Sequence, residues 1–343
     1  MDPQAVDPAT ADRALAAFRG LALGDALGMP TQSMSRADIL ADHGPINGFV
    51  DAGPRQRIAA GMPAGSVTDD TEQAVLLAEL LVEGRGTVEP TVLADRLLAW
   101  ERRMRERGSL DLLGPSTSAA LKRLREGVPA AEAGRYGATN GAAMRITPVG
   151  IACDVSDLRS FVDVVAATGA PTHNTGLGIA AAAAVGAAVS AGVGGAGLRD
   201  AVEVAVAAAD EGGRRGHWVA GGTIAARLRW AVPYLAGLGD RARDRALSEV
   251  IGTSVAAQES VVAALALAAL GDEPWPTLCR ATSLGGDTDT VAAMAGAVLG
   301  AVHGGAAWPD AAVATVERVN ALDLAPVVGA LLDLRARRRP GRG

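Results

Sequence analysis

The repeated helical spacing of apolar residues constrains this chain most, because it can be followed through about a dozen segments. Alanine dominates these segments, and aromatic residues make up only 3% of the chain, a composition that suits closely packed helices better than sheets. Links rich in Gly and Pro separate them, since these residues stop helices and permit turns. The sequence therefore predicts an all-α fold. The segments are 11–27, 71–82, 91–104, 116–125, 157–167, 177–190, 198–209, 222–235, 241–252, 259–270, 290–302 and 309–322.

The chain has 343 residues, 49% of them hydrophobic, which is enough to bury a large core. None of the Gly- and Pro-rich links is long enough for a linker between domains, so we expect one domain over residues 11–335. Residues 1–10 are expected to be a flexible N-terminus. The basic tail 336–343, the end of "RARRRPGRG", is expected to be solvated.

Charge and cysteine usage narrow the function classes. The formal net charge is −6, and the cationic residues are scattered outside the tail, which argues against a nucleic-acid surface. Cys153 and Cys279 lack Cys-x-x-Cys spacing, so neither a disulfide framework nor a thiolate metal site is expected. The N-terminus has no signal-peptide pattern, and the apolar run near Ala180 is too rich in small residues and glycine for a convincing membrane span. We expect a cytoplasmic protein without nucleic-acid or membrane partners.

An acidic four-residue pattern occurs twice, each time at the start of an apolar helix: "TDDT" at 68–71 and "DTDT" at 287–290. Helix capping explains either segment alone, because Asp and Thr accept hydrogen bonds from free N–H groups and anions suit the helix dipole there. One cap needs only one acceptor, however, whereas each segment supplies two carboxylates and two hydroxyls. Capping and ligand binding both remain open at this point.

A bound cation would remove the cost of placing several carboxylates beside an apolar core. The ligand set is all oxygen, which indicates Mg²⁺ or Mn²⁺ and not a structural Zn²⁺. If the two segments face one cavity, four aspartates balance two divalent ions, which could hold sugar hydroxyls and orient a water. Spacing alone does not establish that the segments meet.

Five blocks of the chain resemble the ADP-ribosylglycohydrolase family, whose founding activity removes ADP-ribose from arginine in dinitrogenase reductase. They occur in family order and extend over nearly the whole chain, so the set is specific although each block alone is weak. The resemblance implies a compact all-α domain with a binuclear Mg²⁺ or Mn²⁺ centre in a cleft. The blocks are "GLALGDALGMPTQ" (20–32), "GSVTDDTEQAVLLAELL" (65–81), "TNGAAMRITPVG" (139–150), "PTHN" (171–174) and "LGGDTDTVAAMAGAVLGAVHG" (284–304).

The resemblance also implies roles for particular residues. The implied metal ligands are Thr68, Asp69, Asp70, Asp287, Asp289 and Thr290. The implied substrate-binding residues are Asn140, Gly141, Arg145 and His173. Without the family, "NGAAMR" is also typical of a Gly turn before a helix, and His173 of a loop or core histidine. Asp25 in the first block is interpreted as a buried hydrogen-bonding carboxylate, not a catalyst.

The catalytic assignment is Asp70, Asp287, Gln32 and Asp111. Gln32 departs from the family, in which many members carry a glutamate shortly after the "GDALG" block. An amide lends an oxygen to a metal or a water, but it does not accept a proton as a carboxylate does. The segment "RGSLDLLGPSTSAAL" resembles the family region that can contribute an Asp near the reacting carbon, which implies Asp111 as a candidate general base, with a loop or N-cap carboxylate as the alternative.

The resulting hypothesis is metal-dependent hydrolysis of an anomeric N-glycosidic bond in an ADP-ribosyl or related ribosyl compound. The expected partner is a ribosyl small molecule or an ADP-ribosylated protein. Three alternatives stay open: a hydrolase of small nucleoside-like N-ribosides, a non-enzymatic ADP-ribose-binding or structural protein, and a metal-dependent phosphohydrolase.

Overall fold

The structure, a computed structural model, describes residues 6–109 and 113–338, and in these residues it confirms the all-α prediction. They form eighteen α-helices, with three isolated β-bridges. The first nine are α1 (Pro8–Gly28), α2 (Arg36–His43), α3 (Asp69–Glu83), α4 (Pro90–Glu106), α5 (Pro115–Arg125), α6 (Ala130–Ala133), α7 (Gly141–Met144), α8 (Thr147–Ala152) and α9 (Leu158–His173). The other nine are α10 (Gly176–Val193), α11 (Leu198–Gly212), α12 (Ile224–Ala236), α13 (Asp240–Ala246), α14 (Ala257–Ala269), α15 (Pro274–Ala281), α16 (Thr288–His303), α17 (Asp310–Asn320) and α18 (Ala325–Arg338). Short turns of 3₁₀ or π-helix span Met29–Thr31, Leu247–Ile251 and Gly305–Ala307.

All twelve segments with helical periodicity correspond to helices in the structure. Six further helices, α2, α6, α7, α8, α15 and α18, lie outside those segments. Most of them are eight residues or shorter, too short for an apolar repeat to emerge. α18 is long, but charged residues interrupt the apolar spacing in its second half.

Helices α1 and α16 form the closest helix pair, and a stripe of glycines brings them together. Gly20, Gly24 and Gly28 follow one another at four-residue spacing on the face of α1 that contacts α16. A Cβ atom on Gly24 would lie 2.1 Å from the carbonyl oxygen of Ala292, and one on Gly28 would lie 2.3 Å from the Cα of Asp289. Backbone therefore packs on backbone, which places the acidic start of α16 directly against α1.

The apolar helix α10 is a core element. Its residues Gly176–Val193 are long and apolar enough to cross a membrane by composition, yet 94% of that stretch is buried within the protein. It packs against several other helices of one continuous hydrophobic core that extends from Ala14 to Leu334.

The structure describes residues near both ends of the predicted domain. α1 already begins at Pro8, where the Asp7 carboxylate accepts a hydrogen bond from the Thr10 N–H, so the helix includes residues predicted to be flexible. Arg335, the last residue of the predicted domain and the first of the basic run "RARRRPGRG", is only 3% exposed. Its guanidinium donates to the carbonyl oxygens of Gly150 and Cys153 at 3.1 and 2.7 Å, and so satisfies acceptors around the end of α8.

Candidate active site

The two acidic segments, 220 residues apart in sequence, meet at the N-termini of α3 and α16. The Thr290 hydroxyl donates to Asp70 Oδ1 at 3.3 Å, which joins the two helix starts directly. Asp70 and Asp289 are buried, whereas Asp69 and Asp287 are partly exposed. The arrangement gives each helix start one carboxylate in the interior and one toward the surface.

Asp25 of α1 adds a third buried carboxylate to this place. It accepts hydrogen bonds from the backbone N–H groups of Thr68, at 3.0 Å, and Thr71, at 3.1 Å, and from both threonine hydroxyls. It thereby caps α3 from outside the helix. Burial raises the pKa of Asp25 to about 6, although the four hydrogen bonds act in the opposite direction. The interpretation of Asp25 as a buried hydrogen-bonding carboxylate agrees with these contacts.

Asp25, Asp70 and Asp289 fit a metal ion. One carboxylate oxygen from each lies within 4.8 Å of the others, and all three residues are buried. Asp70 Oδ2 is buried without a hydrogen-bond partner among the described residues. Burial, with the nearby charges of Asp289 and Asp25, raises the pKa of Asp70 well above its ordinary value. The unpartnered oxygen would be a ligand for a hard divalent cation, and that cation would offset the repulsion between the three carboxylates.

A cavity of about 280 Å³ opens above this cluster. Its wall includes most of the predicted site residues together with the loop before α5. The lining residues are Gln32, Ser33, Ile58, Asp69, Leu113, Gly114, Pro115, Thr117, Thr139, Asn140, Gly141, Met144, Val255, Asp287, Asp289 and Thr290. Thr68 and Asp70 lie one layer deeper and do not line the cavity.

The glycine pair before α16 sets the position of Asp287. Gly285 and Gly286 have φ values of +81° and +80°, a conformation that other residues rarely adopt. The Asp287 N–H donates to the Thr253 carbonyl at 2.7 Å, and Asn140 Nδ2 donates to Asp287 Oδ2 at 2.5 Å. Burial raises the pKa of Asp287, while the hydrogen bond from Asn140 lowers it in part. Asn140 thus orients a carboxylate on the cavity wall.

Gln32 also reaches the cavity wall. Its side chain is 5% exposed, and Nε2 has no hydrogen-bond partner among the described residues. Its backbone is fixed, because the Gln32 carbonyl accepts from Gln56 Nε2 at 2.9 Å and the next residue donates to the Gly286 carbonyl. The Gln32 amide therefore leaves a buried N–H group for a ligand to satisfy.

Arg145 and His173, predicted to bind substrate, lie behind the cavity wall. They are 1% and 0% exposed, and neither lines the cavity. Arg145 donates to Gln73 Oε1 at 3.0 Å and to Thr172 Oγ1 at 2.7 Å. Gln73 Nε2 in turn donates to Asp69 Oδ2 at 2.7 Å. Burial lowers the pKa of Arg145 to about 10, which leaves it cationic at neutral pH. Both residues lie behind the residues that line the cavity.

One predicted site residue lies outside the described part of the chain, and three residues found near the site were not predicted. Asp111 lies outside the described residues, two positions before Leu113, which lines the cavity. Asp25 as a member of the acidic cluster, Gln73 and Thr139 were not among the predicted site residues. The sequence holds one signal for Asp25, since "GDALG" places a carboxylate within a glycine stripe, where a second helix must approach closely.

Comparisons with known proteins agree with this geometry. A sequence profile of the ADP-ribosylglycohydrolase family matches residues 6–341. The chain is 34% identical to the uncharacterized protein YegU of Escherichia coli over 330 residues, 95% of this chain and 98% of that protein. It is 31% identical to the ADP-ribosyl-[dinitrogen reductase] glycohydrolase of Rhodospirillum rubrum over 194 residues, 56% of this chain and 62% of that enzyme. Among solved structures, an ADP-ribosylglycohydrolase-related protein complex has a TM-score of 0.67 and 27% identity, over 95% of this chain and 97% of that one. The chain belongs to the ADP-ribosylglycohydrolase family.

Proposed function

We propose that this protein is a metal-dependent hydrolase that cleaves the anomeric N-glycosidic bond of an ADP-ribosyl or related ribosyl compound. The observation that carries the proposal is the cluster of Asp25, Asp70 and Asp289 at the base of a cavity. Family membership supports hydrolysis of ADP-ribose linkages, and the enzyme of Rhodospirillum rubrum carries that activity in its name.

Asp70 and Asp289, with Asp69 and Asp287 from the cavity wall, would hold two Mg²⁺ or Mn²⁺ ions. The Thr68 and Thr290 hydroxyls remain proposed ligands. When bound, such ions polarise oxygen ligands and neutralise charge on the reacting group. The all-carboxylate cluster of Asp25, Asp70 and Asp289, to which the described residues add no Cys or His, supports a hard cation over Zn²⁺.

The residues of the cavity wall would do the rest of the work. Asn140 Nδ2 donates to Asp287 Oδ2, which would hold this carboxylate in position to orient a water toward the anomeric carbon and to take its proton. Gln32 would donate its unpartnered N–H to a substrate oxygen. Asp111 remains a second candidate for the proton acceptor.

The size of the cavity favours one alternative substrate class. Its volume of about 280 Å³ lies just below the usual range of ligand cavities, which is roughly 300 to 1,000 Å³. A small nucleoside-like N-riboside would fill it without a folded protein at its mouth. Two buried free cysteines support the further proposal of a cytoplasmic location.

A substrate panel tests the proposal. ADP-ribosyl-arginine, ADP-ribosyl-serine, free ADP-ribose derivatives and ribonucleosides are assayed with Mg²⁺, with Mn²⁺ and after chelation. We expect release of the leaving base or amino acid that stops on chelation and in Asp289→Ala. Full turnover after either treatment would rule out a metal-dependent reaction, and release of phosphate would identify a phosphohydrolase.

The variant Gln32→Glu separates an enzyme from a non-enzymatic binder. An active wild type, with Gln32→Glu changing its rate, supports hydrolysis. Activity that appears only in Gln32→Glu would instead indicate a protein that binds ADP-ribose and has lost catalysis.

A further inference from the structure

A chain of buried hydrogen bonds runs beneath the cavity from Arg145 to Thr139. Arg145 Nη2 donates to Thr172 Oγ1 at 2.7 Å, Thr172 Oγ1 lies 2.8 Å from His173 Nδ1, and His173 Nε2 lies 2.9 Å from Thr139 Oγ1. Arg145, Thr172 and His173 are at most 1% exposed. Only Thr139 of the four lines the cavity.

The donor and acceptor roles along this chain follow from the chemistry of its first member. Arginine has only donors, so Thr172 Oγ1 accepts from Arg145 and must place its own proton elsewhere. Among the described residues, the acceptor within reach of that proton is His173 Nδ1. A neutral imidazole that accepts at Nδ1 carries its proton on Nε2. His173 is neutral because burial, with the charge of Arg145, lowers its pKa to about 3.

Thr139 stands at the end of this sequence. Its oxygen accepts from His173 Nε2, so its own proton is free to point into the cavity. The imidazole ring is held in place by Gly141, because a Cβ atom there would lie 2.9 Å from His173 Cε1. The backbone at the start of α7 therefore lies close to the ring.

We propose that Arg145, through Thr172 and His173, fixes the Thr139 hydroxyl as a hydrogen-bond donor to an acceptor oxygen of the ligand in the cavity. Arg145, Thr172 and His173 are then positioning residues, and Thr139 is the group that touches the ligand. The proposal rests on the proposed function for the class of ligand, a ribosyl compound that offers a sugar or phosphate oxygen. The direction of the hydrogen bonds is independent of turnover.

Nitrogen NMR of the full-length protein labelled at histidine tests the direction. We expect His173 to carry its proton on Nε2, with Nδ1 unprotonated. In Thr172→Val the donor to Nδ1 is gone, and we expect the Nδ1–H form to appear, whereas Thr172→Ser keeps the wild-type form. A wild-type His173 with its proton on Nδ1, or an unchanged form in Thr172→Val, would overturn the proposal.

Ligand affinity tests the role of Thr139. Loss of one hydrogen bond predicts that Thr139→Val weakens binding of ADP-ribose about 10-fold, while Thr139→Ser stays close to wild type. Adenosine serves as the second ligand: a loss for both ligands assigns the contact to the adenosine ribose, and a loss for ADP-ribose alone assigns it to a phosphate or to the terminal ribose. Unchanged affinity for both ligands in Thr139→Val would contradict the proposal. If neither ligand binds the wild type, the proposed function fails, while the NMR result still decides whether Arg145 sets the tautomer of His173.

Discussion

At the N-terminus of α3, the N–H groups of Thr68 and Thr71 are capped by Asp25, a residue of another helix. At the N-terminus of α16, the Thr290 N–H is held by Asp289 of the same turn at 2.9 Å. The two segments have similar sequences, yet α3 draws acceptors from another helix in addition to its own N-cap, since Thr68 Oγ1 accepts from the Asp70 N–H at 3.4 Å, whereas the acceptor at α16 lies within its own first turn. External capping releases Asp70, whose Oδ2 then has no partner among the described residues. The difference shows that a carboxylate at a helix start is free to bind a ligand when another residue supplies the cap.

The largest expected effect contrasts the capping carboxylate with the released one. Asp70→Asn removes charge from a crowded cluster, so the metal-free protein should melt at a higher temperature, while activity falls by about 10³-fold. Asp25→Asn places an amide NH₂ donor opposite the N–H groups that the carboxylate now accepts from. The melting temperature of this variant should therefore fall, and its free energy of unfolding should drop by about 1–3 kcal/mol. Thermal unfolding in chelator and the substrate panel measure both. Shifts of equal sign would contradict the division of roles.

The next effect concerns the contact that brings the two helix starts together. Gly24→Ala places a methyl group within the backbone of α16, so we expect a loss of about 3 kcal/mol in the free energy of unfolding. Gly48→Ala is the matched control, because nothing lies within 4 Å of a Cβ atom there. Chemical denaturation compares them. Similar stabilities of the two variants would mean that α1 and α16 separate easily.

A pair of near-isosteric variants compares the support behind each helix start. Asn140→Leu removes a hydrogen bond to Asp287, the residue before α16, and Gln73→Met removes one to Asp69 of α3. Each variant should lower metal affinity about 10- to 100-fold. Gln73→Met should also destabilise the fold by about 1–3 kcal/mol, because Arg145 Nη1 loses its acceptor in the interior. Calorimetric titration with Mn²⁺ and denaturant melts separate the two effects. An unchanged affinity in one variant would confine the metal to the other helix start.

The smallest expected effect is the pH dependence of stability caused by His173, which is buried behind the cavity wall. Its pKa is about 3 in the fold against an ordinary 6.5, so the unfolded chain takes up the proton first as the pH falls. Stability is therefore lost from about pH 6.5 downward and is unaffected above it, with roughly 2 kcal/mol lost at pH 5. His173→Gln should remove this contribution from the acid limb of a stability–pH curve. Parallel curves for the two proteins would show that His173 becomes charged within the fold.

The sequence predicted the helices and the chemistry of the acidic segments, because both depend on local pattern. It did not predict that Asp25 joins the acidic cluster, since the N–H groups that Asp25 caps are 43 and 46 residues away. It did not predict that Arg145 and His173 are buried behind the residues that line the cavity, because a motif shows which residues are neighbours in sequence but not which of them face the cavity.

The glycine stripe of α1 changes how mutations in this protein should be interpreted. An alanine scan removes atoms at almost every position, and a loss of function then marks a side chain that acts. At Gly20, Gly24 and Gly28 the same scan adds atoms between two backbones. The positions that tolerate substitution least therefore include glycines that contribute no functional group. Their role is to leave out the side chains that would hold the backbones of α1 and α16, and with them Asp25 and Asp289, apart.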